Sequence, residues 1–272
     1  MKWTFGICIS PDTNPGYLNQ LVNSIWDECA NYFLQTQIIL IGGLNEYTGR
    51  LIFGGDNPLM DSRVDYIPFN ENNKKGWITA KKNIIAKCAE HKNLCILHDY
   101  YKIERGFAQA IDDFDTKTPD WKIIVPRIQT NKGDRHSDWL LDSDVLESVI
   151  RKIPRIGERL MEVAPHENAS KYVCGLPYDE TRLRGLQYIS GGAIICKSDV
   201  ILDVPLPENL VWGEKEDIEW SKDVMNKNYY KQLYMVPEAV LSVQKPNKWA
   251  VTQMPDDVVQ ELVRMYGEYG DE

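Results

Sequence analysis

The order of short apolar runs and helix-period segments in the N-terminal part of the chain constrains its fold more than any other feature. Trp3–Ser10 (WTFGICIS) is a compact apolar run halted by Pro11 and followed by Asn14-Pro15-Gly16. A run bounded by such turn formers reads as a buried strand. Leu18, Leu21, Val22, Ile25, Trp26 and Cys29 then recur at helical spacing through Tyr17–Ala30. Thr36–Ile41 (TQIILI) is a second strand ended by Gly42-Gly43, and Val64–Phe69 a third. Trp77–Ala89 returns to the helical period, with Ile78, Ile84, Ile85 and Cys88 apolar. Asn93–Leu97 is a strand that delivers His98 and Asp99 at its carboxyl end. Strand and helix in alternation predict an α/β fold with a mostly parallel central sheet flanked by helices.

In such sheets ligands sit beyond the carboxyl ends of the strands. Ser10, Gly42-Gly43 and His98-Asp99 are therefore expected to meet on one rim. The second half is less regular. Trp121–Val125 reads as a strand stopped by Pro126, and Asp144–Ile153 as a helix. Residues 154–187, rich in proline, glycine and charge, read as an excursion expected to order over a ligand. Tyr188–Cys196 is a strand interrupted by Gly191-Gly192, and Asp217–Asn226 a helix that begins with acids. Tyr234–Pro237 and Ala239–Val243 read as short strands, and Pro255–Tyr266 as a terminal amphipathic helix.

Composition removes several classes. At 272 residues the chain suits one elaborated α/β domain. Its net charge of -9 argues against general nucleic-acid binding, which draws on a basic face. No pair of its cysteines (Cys8, Cys29, Cys88, Cys95, Cys174, Cys196) has C-x-x-C spacing, so buried free thiols are expected. No apolar stretch reaches the about 18 residues of a membrane span, and the first residues lack a signal-peptide core. A cytoplasmic protein is expected.

The chemistry-bearing candidates each have a plainer alternative. Asp99 can hold a divalent cation against a diphosphate, or merely cap a loop. Lys81-Lys82-Asn83 can meet phosphate oxygens, or form a solvated helix face. Gly191-Gly192 can admit a ligand close to the backbone, or be a structural bulge. In Trp212-Gly213-Glu214-Lys215-Glu216-Asp217, the ring can stack on a sugar while a carboxylate takes a hydroxyl proton. The acids can also simply complement a helix N-terminus.

In this order the motifs resemble the GT-A glycosyltransferases, especially inverting enzymes of glycosyltransferase family 2 and the galactosyltransferase-like group. YISGGAIICKSDV followed by PLPENLVWGEKEDIEWSKDV resembles their acceptor-side signature. TAKKNIIAKCAEHKNLCILHDYY resembles their donor side, and IQTNKGDRHSDWLLD a connecting segment of bacterial and phage members. The resemblance covers about residues 3–245. It implies a single GT-A domain over 1–254, with a nucleotide-sugar-binding half at 1–120 and an acceptor-binding half at 121–254. Residues 255–272 would follow as a C-terminal helix and tail. It implies transfer of a sugar from a nucleoside-diphosphate sugar to a hydroxyl of a glycan or other acceptor, with inversion, as in polysaccharide biosynthesis.

Carried over, Ser10 lies near the nucleotide base or ribose, Lys82 approaches the diphosphate, and Asn83 and His98 lie on the donor side. Asp99 holds manganese or magnesium, and Gly191 and Gly192 line the donor sugar. Trp212 and Glu214 contact substrate sugar, Asp217 is the general base, and Glu216 orients the acceptor or holds the helix start. Two departures leave alternatives open. The family's Asp-x-Asp pair is incomplete here, since Asp99 pairs with Tyr101 or His98 with Tyr100. The late metal-binding histidine expected near Ser242–Lys245 is missing, because His91, His98, His136 and His166 all lie earlier. Metal affinity is then weak, or the protein works without metal. A nucleotide-sugar-binding protein without transferase activity is the alternative function. A nucleotidyltransferase fits less well, because Ser10–Gly16 (SPDTNPG) is not its glycine-rich loop.

Overall fold

The computed structural model describes residues 2–32, 35–44, 49, 64–70, 72, 74, 76–163, 174–246 and 251–267. Strands β1 (Lys2–Cys8), β2 (Gln35–Gly42), β3 (Val64–Pro68) and β4 (Asn93–His98) pair in parallel, with β1 between β2 and β4. Helix α1 (Pro15–Tyr32) joins β1 to β2, and α2 (Ile78–Cys88) leads into β4. Trp3, Phe5 and Ile7 of β1 are fully buried on the α1 side with Leu18, Leu21, Val22 and Ile25. On the other face α2 lies so close that a Cβ on Gly6 would sit 2.3 Å from Ile85. Burial on both faces is why these strands read as unbroken apolar runs rather than alternating ones.

The main sheet has eight strands in the order β3-β2-β1-β4-β10-β6-β11-β5. Its second half adds β5 (Tyr101–Ile103), β6 (Ile123–Thr130), β10 (Ala193–Lys197) and β11 (Leu233–Val243). β10 lies antiparallel between β4 and β6, and β5 closes the edge antiparallel to β11. The remaining strands run one way, so the sheet is parallel with one reversed strand in its middle and one at its edge. A second sheet of four strands, ordered β12-β8-β7-β9, comprises β7 (Leu140–Leu141), β8 (Cys174–Gly175), β9 (Gln187–Tyr188) and β12 (Thr252–Gln253). The other helices are α3 (Phe107–Lys117), α4 (Ser143–Lys152), α5 (Pro154–Val163), α6 (Ser198–Asp203), α7 (Glu216–Asn226) and α8 (Asp256–Tyr266).

Several sequence expectations are corrected. β6 does not stop at Pro126 but continues to Thr130. Pro126 faces Val236, where β11 shifts register before Val240. A proline lacks the ladder donor, and a bulge in the partner strand makes that loss tolerable. The same irregularity makes Tyr234–Pro237 and Ala239–Val243 one bent strand. Gln187–Tyr188 and Ala193–Lys197 belong to different sheets, so Gly191-Gly192 is a crossing between sheets rather than a break within one. The stretch 154–187 opens with α5, whose proline stands at the first helical position and whose Ile156 and Leu160 are buried. Residues 164–173 of that stretch, His166 among them, lie outside the described residues. β5 and α3 were not anticipated. The start of α3 is held by Glu28 of α1, whose Oε2 accepts from Gly106 N at 3.0 Å and Ala108 N at 3.2 Å. No cap of that kind is visible in local sequence.

The small sheet is tied to β6 by a buried carboxylate. Asp138 is 0% exposed and accepts from Arg135 Nε at 2.7 Å, Trp139 N at 2.6 Å, Tyr178 Oη at 2.9 Å and Ile128 N at 3.2 Å. The Arg135 guanidinium also donates to the Leu176 and Trp139 carbonyls and lies 4.3 Å from the Tyr178 ring centroid. Removing one member of such a buried pair typically costs about 3–5 kcal/mol, because the other charge is stranded. Asp138→Ala is predicted to lose that much in urea unfolding. Asp199→Ala, which breaks the exposed pair with Lys122, should stay within about 0.5 kcal/mol of wild type. Equal losses in the two variants would contradict this account of the small sheet.

Candidate active site

A cavity of about 610 Å³ opens beyond the carboxyl ends of β1 and β4, and Ser10, Asp12, Lys81, His98, Asp99 and Trp212 line it. The turn after β1 is held by its own side chains. The Thr13 hydroxyl accepts from Ser10 N at 2.8 Å, and the Ser10 hydroxyl accepts from Asp12 N at 3.3 Å. Thr13 also hydrogen-bonds the Asp99 carboxyl, joining the β1 turn to the end of β4. Gly42, expected on the same rim, does not line this cavity. It packs against the chain after β1, where a Cβ would fall 2.0 Å from the Ile9 carbonyl oxygen.

Helix α2 places its lysines inward, not toward solvent. Lys81 is 3% exposed and donates to the Ile9 carbonyl at 2.8 Å. Lys82 is 0% exposed, and its Nζ has no hydrogen-bond partner among the described residues. Burial pushes the Lys82 ammonium below its ordinary pKa, while Cys8, Asp217 and Glu216 pull the other way. Asn83 is placed differently. Its amide donates to the Leu206 carbonyl and to Glu208 Oε1, each at 2.9 Å, and its carbonyl oxygen accepts from Leu206 N at 2.9 Å. All of that capacity goes to clamping the 206–208 segment, outside the cavity.

His98 sits at 2.9 Å from the Tyr100 hydroxyl through Nδ1, and its buried Nε2 has no partner among the described residues. Burial holds its pKa well below 6.5, and the charges of Lys82, Lys245 and Lys81 act in the same sense. The imidazole is therefore neutral near pH 7. Burial raises the Asp99 carboxyl, against the lowering pull of the Thr13 hydroxyl, Lys245 and Lys81. Neither partner position of an Asp-x-Asp pair offers a second cation ligand. The Tyr100 hydroxyl is taken by His98, and Tyr101 is 2% exposed with its hydroxyl bonded to Ser190. Among the described residues no group of three or more His, Cys, Asp and Glu side chains could hold a metal ion. With one carboxylate at the strand end, a divalent cation here would have to draw its other ligands from water and from the phosphates of a nucleotide.

The crossing at Gly191-Gly192 sets the other wall. A Cβ on Gly191 would meet Asp217 at 2.8 Å, and one on Gly192 would meet the Tyr101 hydroxyl at 2.7 Å. Asp217 Oδ2 accepts from Tyr188 Oη at 2.6 Å and Gly191 N at 3.2 Å, and Oδ1 accepts from Ile218 N at 3.0 Å. Glu216 is 4% exposed, and its Oε2 accepts from Gly213 N at 3.2 Å. Burial and the neighbouring Asp217 raise its pKa. Glu214 turns back on its own loop and accepts from Val211 N at 2.9 Å. Trp212 is 66% exposed at the mouth of the cavity, with its backbone N bonded to the Gly76 carbonyl at 2.9 Å.

The structure thus gathers Ser10, His98, Asp99 and Trp212 around one cavity, with Lys82, Asp217 and Glu216 close behind it. Glu214 and Asn83 are spent on local structure. Thr13, Tyr188 and Lys245 were missed. Lys245 alone left a signal: it ends the very stretch where the resemblance expects a histidine.

The same architecture occurs in solved structures of S. aureus TarS. TarS superposes with a TM-score of 0.56 at 12% identity over 98% of this chain and 39% of that chain. TarS 1-349 gives 0.53 at 12% identity, over 99% and 65% of the two chains. TarS 1-349 in complex with UDP-GlcNAc gives 0.58 at 12% identity, over 99% and 66%. The fold is GT-A. This GT-A chain spans from about two fifths to two thirds of the length of those TarS chains. No protein-family model matches its sequence, and no curated protein resembles it significantly. No helix among the described residues is long and apolar enough to cross a membrane.

The depressed pKa of His98 gives a signed pH dependence. Below its ordinary value of 6.5 the unfolded chain takes a proton that the native state refuses, so stability falls as pH drops. His98→Gln removes that proton. Urea unfolding at pH 7.5 and at about pH 5.5 should show a smaller acid loss in the variant than in wild type. Identical losses would mean that His98 titrates normally in the fold.

Proposed function

We propose that this protein is a glycosyltransferase that takes a nucleoside-diphosphate sugar as donor and passes its sugar to an acceptor hydroxyl. Residues 1–120 form the donor half and 121–254 the acceptor half. The observation that carries the reading is the setting of Asp217. Its carboxylate is held at the glycine crossing by the Tyr188 hydroxyl and Gly191 N, within the electrostatic reach of Lys82. An ionised carboxylate has about four acceptor sites. The described residues occupy three of them, through Tyr188, Gly191 and Ile218. One site is left for an incoming hydroxyl.

In this reading the acceptor stacks on Trp212 and presents its hydroxyl to Asp217. Asp217 takes the proton as the acceptor oxygen bonds to the anomeric carbon. The bond from that carbon to the diphosphate oxygen breaks on the opposite side, giving inversion. Tyr188 orients the carboxylate, and buried Lys82 stabilises charge on the leaving diphosphate. Glu216 fixes the turn that begins α7. The TarS structure with UDP-GlcNAc supports a uridine nucleotide as the first donor to try.

Asp217→Asn keeps the size and most of the hydrogen bonding but cannot take a proton. A positioned base contributes about 10²–10⁴ in rate, so turnover should fall at least about 100-fold with folding and donor affinity unchanged. The assay is release of UDP from UDP-sugars across a panel of glycan acceptors. Wild-type turnover in Asp217→Asn would remove it as the base. Gly191→Ala, whose Cβ meets Asp217 at 2.8 Å, should also lose turnover and about 1–3 kcal/mol of stability. Full activity in that variant would show that the crossing has room to spare.

A further inference from the structure

We propose that the donor diphosphate is bound here by a cage of lysines, Lys81, Lys82 and Lys245 set around the His98-Asp99 strand end, in place of a divalent cation. This rests on the nucleotide-sugar reading above and specifies how that site handles charge.

The lysines reach the site from separate parts of the fold. Lys81 and Lys82 descend from α2, and Lys245 follows β11. β11 pairs with β5 in a register that sets Val243 against Tyr101, and Gln244 N donates to the Tyr100 carbonyl at 2.8 Å. That register carries Lys245 to the residue beside Asp99, where its Nζ stands 3.5 Å from the Tyr100 ring centroid. Lys81 Nζ is fixed at the cavity wall by the Ile9 carbonyl. Asp99 is thus one carboxylate facing ammonium groups from two directions, and both act on it.

A divalent cation placed at Asp99 would find its charge opposed by Lys81 and Lys245. A diphosphate finds the reverse. Its oxygens would give Lys82 Nζ the partners it lacks among the described residues, and a buried ammonium without partners is otherwise unfavourable. Ammonium groups serve as point-charge phosphate binders and can carry the charge of a leaving diphosphate. Asp99, bonded to Thr13, then holds Lys245 at the rim rather than a metal.

Calorimetry of UDP and GDP binding to the full chain, in EDTA and in manganese chloride, tests this. Nucleotide affinity should agree within about 3-fold between the two buffers. Lys245→Ala should weaken binding about 10-fold or more in both, the range for losing a charged hydrogen bond. Lys245 is exposed, so this variant should fold normally. Asp99→Asn should lose less affinity than Lys245→Ala, because it loosens Lys245 but also takes a negative charge out of the cage. Binding that requires manganese and disappears in Asp99→Asn would overturn the cage and leave the glycosyltransferase reading intact. Wild-type affinity in Lys245→Ala would also overturn it. No binding of either nucleotide in either buffer would overturn both readings.

Discussion

The contact on which the rest of this molecule depends is the passage of the chain between its sheets at Gly191-Gly192. One side of that passage touches Asp217 and the other touches Tyr101, with no room for a side chain on either glycine. β10 can lie between β4 and β6 only because the chain turns here directly from β9. The same turn presents Gly191 N to Asp217, so the backbone that joins the two sheets also orients a carboxylate. Packing tolerance and chemistry are therefore set at one place. A relaxed crossing would cost the fold its register and the site its geometry together.

Charge around the cavity follows from burial. α2 sends Lys82 into the protein without a hydrogen-bond partner among the described residues, an arrangement that opposes stability. At Asp138 buried charge is instead fully matched, by donors from Arg135, Trp139, Tyr178 and Ile128. The contrast separates a charge that holds structure from one kept available. His98, neutral and with a bare Nε2, belongs with the second kind.

Much of the first half was legible because β1, β2 and β4 are buried on both faces and stand out as apolar runs. Their order alone placed Ser10, His98 and Asp99 together on a rim. What was not legible depends on contacts far apart in sequence. A lysine pair on a helix reads as solvated until the sheet it faces is known, yet Lys81 and Lys82 are buried. Asn83 looked like a ligand contact and is consumed by Leu206 and Glu208. Pro126 looked like a strand end because the bulge that accommodates it is on β11. α3 takes its cap from Glu28, and Asp217 takes its orientation from Tyr188. Neither partner can be read from neighbouring residues.

The clamp between α2 and the 206–212 segment has a mechanical consequence. Lys74 and Trp77 donate to the Glu208 carbonyl, Thr79 to the Leu210 carbonyl, Asn83 to the Leu206 carbonyl, and Trp212 N to Gly76. The ring at the cavity mouth and Lys81 on its wall are thus parts of one stiff lever. Any shift of α2 carries Trp212 with it, so the mouth and the wall of the cavity cannot be adjusted separately from that side. The opposite wall is joined in another way, through side chains: Asp144 of α4 pairs with Lys215 and Lys222, and Tyr188 of the small sheet bonds Asp217.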